Sequence, residues 1–193
     1  MTIEDRRLRE RTARRRLITA TARKLAEREG WDAVTTRRLS TEIEYSQPVL
    51  YKHFGSMEEI VEAVALDGFT ELGQAMGAAR RDAAAGGDPL TRTARAFSTF
   101  AADNPALYDA MFSRATRLHF GSDDTPAPLR GAFDELRAAV EDVAPRRDTD
   151  TVTEVIWAAL HGLATLGRSD RLRPGHDDER IRLLVAQFAA NGA

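Results

Sequence analysis

Residues 41–57 read TEIEYSQPVLYKHFGSM. Val49, Leu50 and Phe54 are apolar at helical spacing, whereas Lys52 and His53 do not suit a core. The pattern predicts a short helix with one apolar side and one hydrogen-bonding side. Ser46 stands where an N-cap belongs, and Pro48 falls in the first turn, where a missing N–H costs nothing. Gly55 ends this helix. Ser56 caps the next, and its first turn carries Glu58 and Glu59, carboxylates that suit the positive end of a helix dipole.

Upstream, a long first helix is expected from about Arg9 to Glu29, with Leu17, Thr21, Ala22, Leu25 and Ala26 on its inner stripe and Gly30 as its stop. Trp31 and Val34 return to the core. Thr35 or Thr36 caps a second helix that turns Leu39 and Ile43 inward and ends near Glu44, and Tyr45 makes the turn. A long helix bracing two short ones across a turn of a few residues is the layout of a helix-turn-helix. Leu39, Ile43, Leu50 and Phe54 would pin the two short helices, leaving the start of the third free to face a groove. Ser46, Gln47, Pro48 and Val49 lie there. A glutamine amide can pair with adenine N6 and N7, and a valine can contact a thymine methyl. Tyr51, Lys52 and His53 offer a hydroxyl, a charge and a ring N–H suited to phosphate oxygens. Arg6, Arg7, Arg9, Arg11, Arg14, Arg15 and Arg16 form a basic arm before this unit. Such an arm either neutralises phosphates or is simply a solvated terminus.

Beyond the fourth helix, which is expected to reach about Arg81, a break falls at Ala85-Gly86-Gly87-Asp88-Pro89. Helices are expected at about 89–102, 105–115, 126–143, 149–168 and 177–191. Breaks fall at Asp103-Asn104-Pro105, in residues 121–126, at Ala144-Pro145 and at Arg173-Pro174-Gly175. Residues 116–128 carry the weakest pattern. No alternating β-branched runs occur, and Ala, Leu, Arg and Glu dominate. The expected fold is all-α with about nine helices. Residues 1–57 would form the basic arm and helix-turn-helix, and residues 58–193 a second helical domain.

Composition narrows the function. The 193 residues carry a net charge of −2, yet residues 1–57 hold 13 Lys and Arg against 8 Asp and Glu, so one end suits a polyanion. There is no cysteine, which excludes disulfides and thiolate metal sites. The arginine-rich start is not a secretory signal, and no run of about 18 apolar residues suggests a membrane span. A cytoplasmic protein is expected. Motifs of the G-x-S-x-G, H-E-x-x-H, phosphate-loop and G-x-G-x-x-G kinds are missing. The spacing of the four histidines gives no support to a metal site. No enzyme and no cofactor are expected.

Residues 15–61 resemble the DNA-binding region of the TetR family of transcriptional regulators. The Ile18–Ala22–Leu25 helix ending in Glu29-Gly30-Trp31, then Val34-Thr35-Thr36, the Leu39–Ile43 helix and above all Leu50-Tyr51-Lys52-His53-Phe54 carry the likeness. The resemblance implies a homodimer that binds a palindromic operator in double-stranded DNA, usually as a repressor, and releases it when a small molecule binds the C-terminal domain. It places Gln47, Pro48 and Val49 at bases, and Thr36, Tyr51 and His53 at phosphates. Arg14 and Arg15 of the basic arm are expected, from their charge, to be further contacts. Two departures stand out. Met57 occupies a position where the family commonly has a phosphate-binding lysine, and Glu44-Tyr45-Ser46 replaces the more usual small residue, Val and Ser.

In the C-terminal half, Val152, Val155, Ile156, Ala159, Leu163 and Leu166 fit one apolar stripe, and Ile181, Leu184, Val185 and Phe188 another. Either they are intramolecular core, or helices 149–168 and 177–191 pair with a second subunit as in the family. Trp157, His161 and Gly162 are similar to a Trp-x-x-x-His-Gly pattern of one TetR subgroup. Phe69, Phe97, Phe100, Tyr108, Met111, Phe112, His119, Phe133, Trp157 and His161 are the candidates to line an effector pocket, against plain core packing for each aromatic alone. The competing function is a helical small-molecule-binding protein or protein-interaction dimer without specific DNA binding.

Overall fold

The computed structural model describes residues 2–82, 84, 86–115, 117–121, 124–143 and 148–189. The expected break at Ala144-Pro145, Ala85 of the glycine-rich break, Ser122-Asp123, and the end of the last expected helix at 190–191 lie outside the described residues. Among those described there are nine α-helices and no strand. They are α1 (Ile3–Glu29), α2 (Thr36–Glu42), α3 (Gln47–Tyr51), α4 (Met57–Arg81), α5 (Pro89–Asp103), α6 (Pro105–Asp109), α7 (Ala127–Glu141), α8 (Thr149–Arg168) and α9 (Asp177–Ala189). A 3₁₀ turn at Trp31–Ala33 follows α1, and a π-helical turn at Ala110–Arg114 prolongs α6.

The first helix corrects the sequence reading. It begins at Ile3 rather than near Arg9, so the basic arm is itself helical. The cause is a capping box: the Thr2 hydroxyl accepts from the Asp5 N–H at 3.2 Å, and the Asp5 carboxylate accepts from the Thr2 N–H at 2.8 Å. Arg, Leu, Glu and Ala then propagate the helix. Its buried stripe is Ile18, Ala22, Leu25 and Ala26, whereas Leu17, one residue out of phase, is exposed.

The chain divides into two compact units. The first comprises residues 1–68 and 104–119. Leu39, Leu50, Phe54, Ile60 and Val64 are buried in it, while Ile43, at the C-cap of α2, is only half-buried. The end of α1 holds the start of α6. Glu27 accepts from the Ala106 and Leu107 N–H groups at 3.0 and 2.9 Å, which supplies a carboxylate to two N–H groups that no helical turn could satisfy. The Trp31 indole donates to the Ala106 carbonyl at 2.7 Å, and Arg23 to the Asn104 side chain at 2.8 Å. Gly68 of α4 lets Leu107 and Met111 approach closely; a Cβ there would lie 2.6 Å from the Met111 sulfur.

The second unit comprises residues 69–103 and 120–193. Here α5 packs on α7, α8 and α9, and α7 on α8. Glu135 of α7 pairs with Arg80 and Arg81 of α4. Arg92 closes the glycine-rich break by donating to the carbonyls of Ala79 and Arg80 at 2.9 and 2.8 Å and to that of Gly87. In α8 the expected single stripe splits. Val152, Ile156 and Leu160 are buried, while Val155 and Leu166 are exposed; in α9 Ile181 and Val185 are buried and Leu183 is exposed.

Candidate nucleic-acid interface

The α2–α3 turn is built from residues poorly suited to it by type. Glu44 takes φ 57°, the left-handed region, where a Cβ is disfavoured. This lets the Tyr45 N–H return to the Ser40 carbonyl at 3.0 Å and aims the chain into α3. Ser46 stands at the N-cap of α3, but its hydroxyl makes no capping bond; its carbonyl accepts from the Val49 N–H at 2.9 Å instead. The serine hydroxyl is thus not committed to the helix. Thr35, not Thr36, caps α2 through Arg38 N–H at 3.2 Å, and Thr36 lies half-buried in the first turn.

Along α3 the division of labour is clear. Ser46, Gln47, Pro48, Tyr51 and Lys52 are exposed, Val49 and His53 are half-buried, and Leu50 and Phe54 are buried. Tyr51 keeps 52 % of its surface, although its ring would bury readily were a core available. The apolar side anchors, and the polar side is presented to solvent.

Arg15 of α1 fixes the end of this element. Its guanidinium lies 3.9 Å from the Phe54 ring centroid and donates to the His53 carbonyl. Arg15 is thus committed to the fold, while Arg14 is exposed. The His53 Nδ1 is buried and has no hydrogen-bond partner among the described residues. Burial holds its pKa below the ordinary value, and the charges of Arg14, Arg11, Arg15 and Lys52 push in the same direction. A neutral imidazole among four cations is an environment that an anion would relieve. Arg11 is missing from the sequence-derived site. Only knowing that its turn of α1 faces His53 could have singled it out from the other arginines.

At the start of α4, the Ser56 hydroxyl accepts from the Glu59 N–H at 3.3 Å and the Glu59 carboxylate accepts from the Gly55 N–H at 2.8 Å. Met57 is half-buried in that first turn and brings no charge.

The effector candidates fall in both units. In the second, Trp157 meets Phe97 and Phe133 with centroids 5.7 and 6.1 Å apart, Phe69 meets Phe120 at 5.7 Å, and Phe100 is buried. His161, one turn from Trp157, is half-buried; burial chiefly, and Arg168 secondarily, hold its pKa down. In the first unit, Tyr108 stacks on Phe112 at 4.5 Å and Met111 is buried. His119 is exposed, so it lines no interior of its own unit. Among the described residues no cluster of three or more His, Asp or Glu side chains could hold a metal ion, and no helix is long and apolar enough to cross a membrane.

Fold and site together define a helix-turn-helix DNA-binding regulator. Residues 18–64 match the family model for bacterial regulatory proteins of the tetR family, and residues 90–188 that for the tetracyclin repressor-like C-terminal domain. The helix-turn-helix transcriptional regulator Rv0681 of Mycobacterium tuberculosis is 30% identical over 171 residues, which span 85% of this chain and 74% of that protein. The chain belongs to the TetR family of transcriptional regulators, which are not enzymes. Among solved structures, a protein of unknown function from Rhodococcus sp. RHA1 superposes with a TM-score of 0.76 at 23% identity, covering 93% of this chain and 95% of that one. BioQ, solved with its double-stranded DNA operator, superposes with a TM-score of 0.59 at 19% identity, covering 90% and 96%.

Proposed function

We propose that this regulator is a cytoplasmic homodimeric repressor that binds a palindromic operator through α3 and leaves it when a small apolar or amphipathic effector binds the C-terminal domain. The observation that carries the reading is the bare polar side of α3, with Gln47, Pro48, Tyr51 and Lys52 exposed above the anchors Leu50 and Phe54. Gln47 and Val49 would read bases. Ser46, Thr36, Tyr51, Lys52 and His53 would hold phosphates, joined by Arg14. BioQ, of similar fold, binds a double-stranded operator. Two-fold pairing supports a palindrome, because helix-turn-helix dimers engage half-sites about one helical turn apart. The exposed Val155, Leu166 and Leu183 on α8 and α9 support those helices as the seam. The aromatic group around Trp157, with His161 as its polar member, supports an effector site there.

The test is selection of duplexes from a random library by the purified protein, followed by gel shift. Enrichment of one palindrome, lost in Gln47→Ala and Tyr51→Ala with helicity intact, is the expected result. Recovery of no preferred sequence by the dimer would discard the reading.

A further inference from the structure

Resting on that reading, we infer that Arg7 and Arg11 extend the contact at Arg14 into a second DNA-contacting surface, a helical cationic stripe that follows the phosphate backbone outside the segment occupied by α3. The three residues are spaced i, i+4, i+7, which places them on one face of α1. The same face continues through Ile18, Ala22 and Leu25, the residues that bury α1 against its own unit. The stripe is therefore aligned with the buried side of α1, and Arg15, next to Arg14, bonds the His53 carbonyl where α3 ends.

The acids of this segment are engaged in part elsewhere: Arg6 pairs with Glu10 at 3.7 Å. Among the described residues Arg7, Arg11 and Arg14 have no ion-pair partner, and all three are exposed. Arg11 and Arg14 both act electrostatically on His53, so the stripe and the polar side of α3 share one positive region. Glu4 shares a shallow groove with Arg7 and Arg11, so the stripe starts at Arg7 and not at the tip. The capping box at Thr2 and Asp5 holds the extension helical without a partner. From Arg7 to Arg14 the helix rises about 10 Å, roughly the axial rise of three phosphates on one strand. Charge complementarity thus selects duplex DNA as the occupant. The stripe supplies cations that the neutral Met57 at the start of α4 does not.

The experiment uses the full chain and the duplex recovered by selection, once trimmed to the palindrome and once with ten base pairs of flank on each side. Binding is followed by fluorescence anisotropy over a salt series. The wild type is expected to bind the flanked duplex more tightly and with a steeper salt slope than the trimmed one. Arg7→Gln/Arg11→Gln is expected to lower the slope on the flanked duplex by about 2 per protomer, with no change in sequence preference, since phosphate contacts carry none. Arg7→Lys/Arg11→Lys is expected to keep the steep slope. Equal wild-type slopes on the two duplexes overturn the inference without any variant, as does a wild-type slope in the double glutamine variant with unchanged helicity. A wild type that shows no sequence preference overturns instead the operator reading on which the stripe depends.

Discussion

Arg15 of α1 lies with its guanidinium 3.9 Å from the centroid of the Phe54 ring and also donates to the His53 carbonyl just before it. One side chain thus satisfies a carbonyl that α3, only five residues long, leaves without an internal partner, and covers the aromatic anchor that follows. Arg15→Ala is expected to destabilise the protein by about 2 kcal/mol. Arg15→Lys should recover only part, because an ammonium cannot both lie flat on the ring and donate as a planar fork. Urea unfolding of the three proteins checks this; equal midpoints would deny Arg15 its structural role.

The turn before α3 offers a gain instead of a loss. Glu44 at φ 57° is strained by its Cβ, and glycine would not be. Glu44→Gly is expected to stabilise by roughly 0.5–1 kcal/mol, after subtracting the larger entropy of glycine in the unfolded chain. A raised melting temperature is the readout, and a lowered one would mean the side chain contributes something the geometry does not reveal.

Gly68 tests the packing of α4 on α6. A Cβ there would stand 2.6 Å from the Met111 sulfur and 2.8 Å from a Leu107 methyl, both in the same compact unit. Gly68→Ala should cost about 1–3 kcal/mol, although alanine favours helix. The double variant Gly68→Ala/Met111→Ala should recover part of the loss relative to the sum of the two single changes, as a shared steric contact requires.

Acid should weaken the fold through its histidines. His53 and His161 both have folded pKa values below the ordinary 6.5, chiefly from burial. The unfolded chain therefore takes up these protons first as pH falls. Stability is full above about pH 6.5 and declines as pH drops from there toward the folded values. Melting temperatures at pH 7.5 and 5.5 should show the decline, and His53→Gln/His161→Gln should flatten it. The arginines around His53 persist in that variant, so an unchanged pH dependence would place the titration elsewhere.

Much of this was legible in the sequence because each helix boundary has a local cause. Gly30, Thr35, Pro48, Ser56, Pro89 and Pro105 sit at or next to the ends their chemistry predicts. The start of α1 escaped because Thr2 and Asp5 form a capping box ahead of an arginine run with no apolar stripe to signal a helix. On the inner stripe of α1, Ala22, Leu25 and Ala26 are buried as expected, but periodicity alone does not say which of Leu17 and Ile18 faces inward, and Ile18 does. At the site, the polar residues of α3 could be named from spacing. The commitment of Arg15 could not, because its partners His53 and Phe54 lie 38 and 39 positions away and only the fold brings them together. The effector candidates were the least legible, because an aromatic looks the same in sequence whether it packs a core, as Tyr108 and Phe97 do, or stays half-buried, as Trp157 does.

The exposed side of α3 has a bearing on how such a regulator changes over generations. On the proposed reading, Gln47 helps choose the operator while contributing nothing to the core, and Leu50, Phe54 and Arg15 keep the protein folded while reading nothing. Target choice and foldedness are then separately heritable. After gene duplication, a copy can drift to a new operator by a single substitution at 47 without first acquiring compensating stability elsewhere.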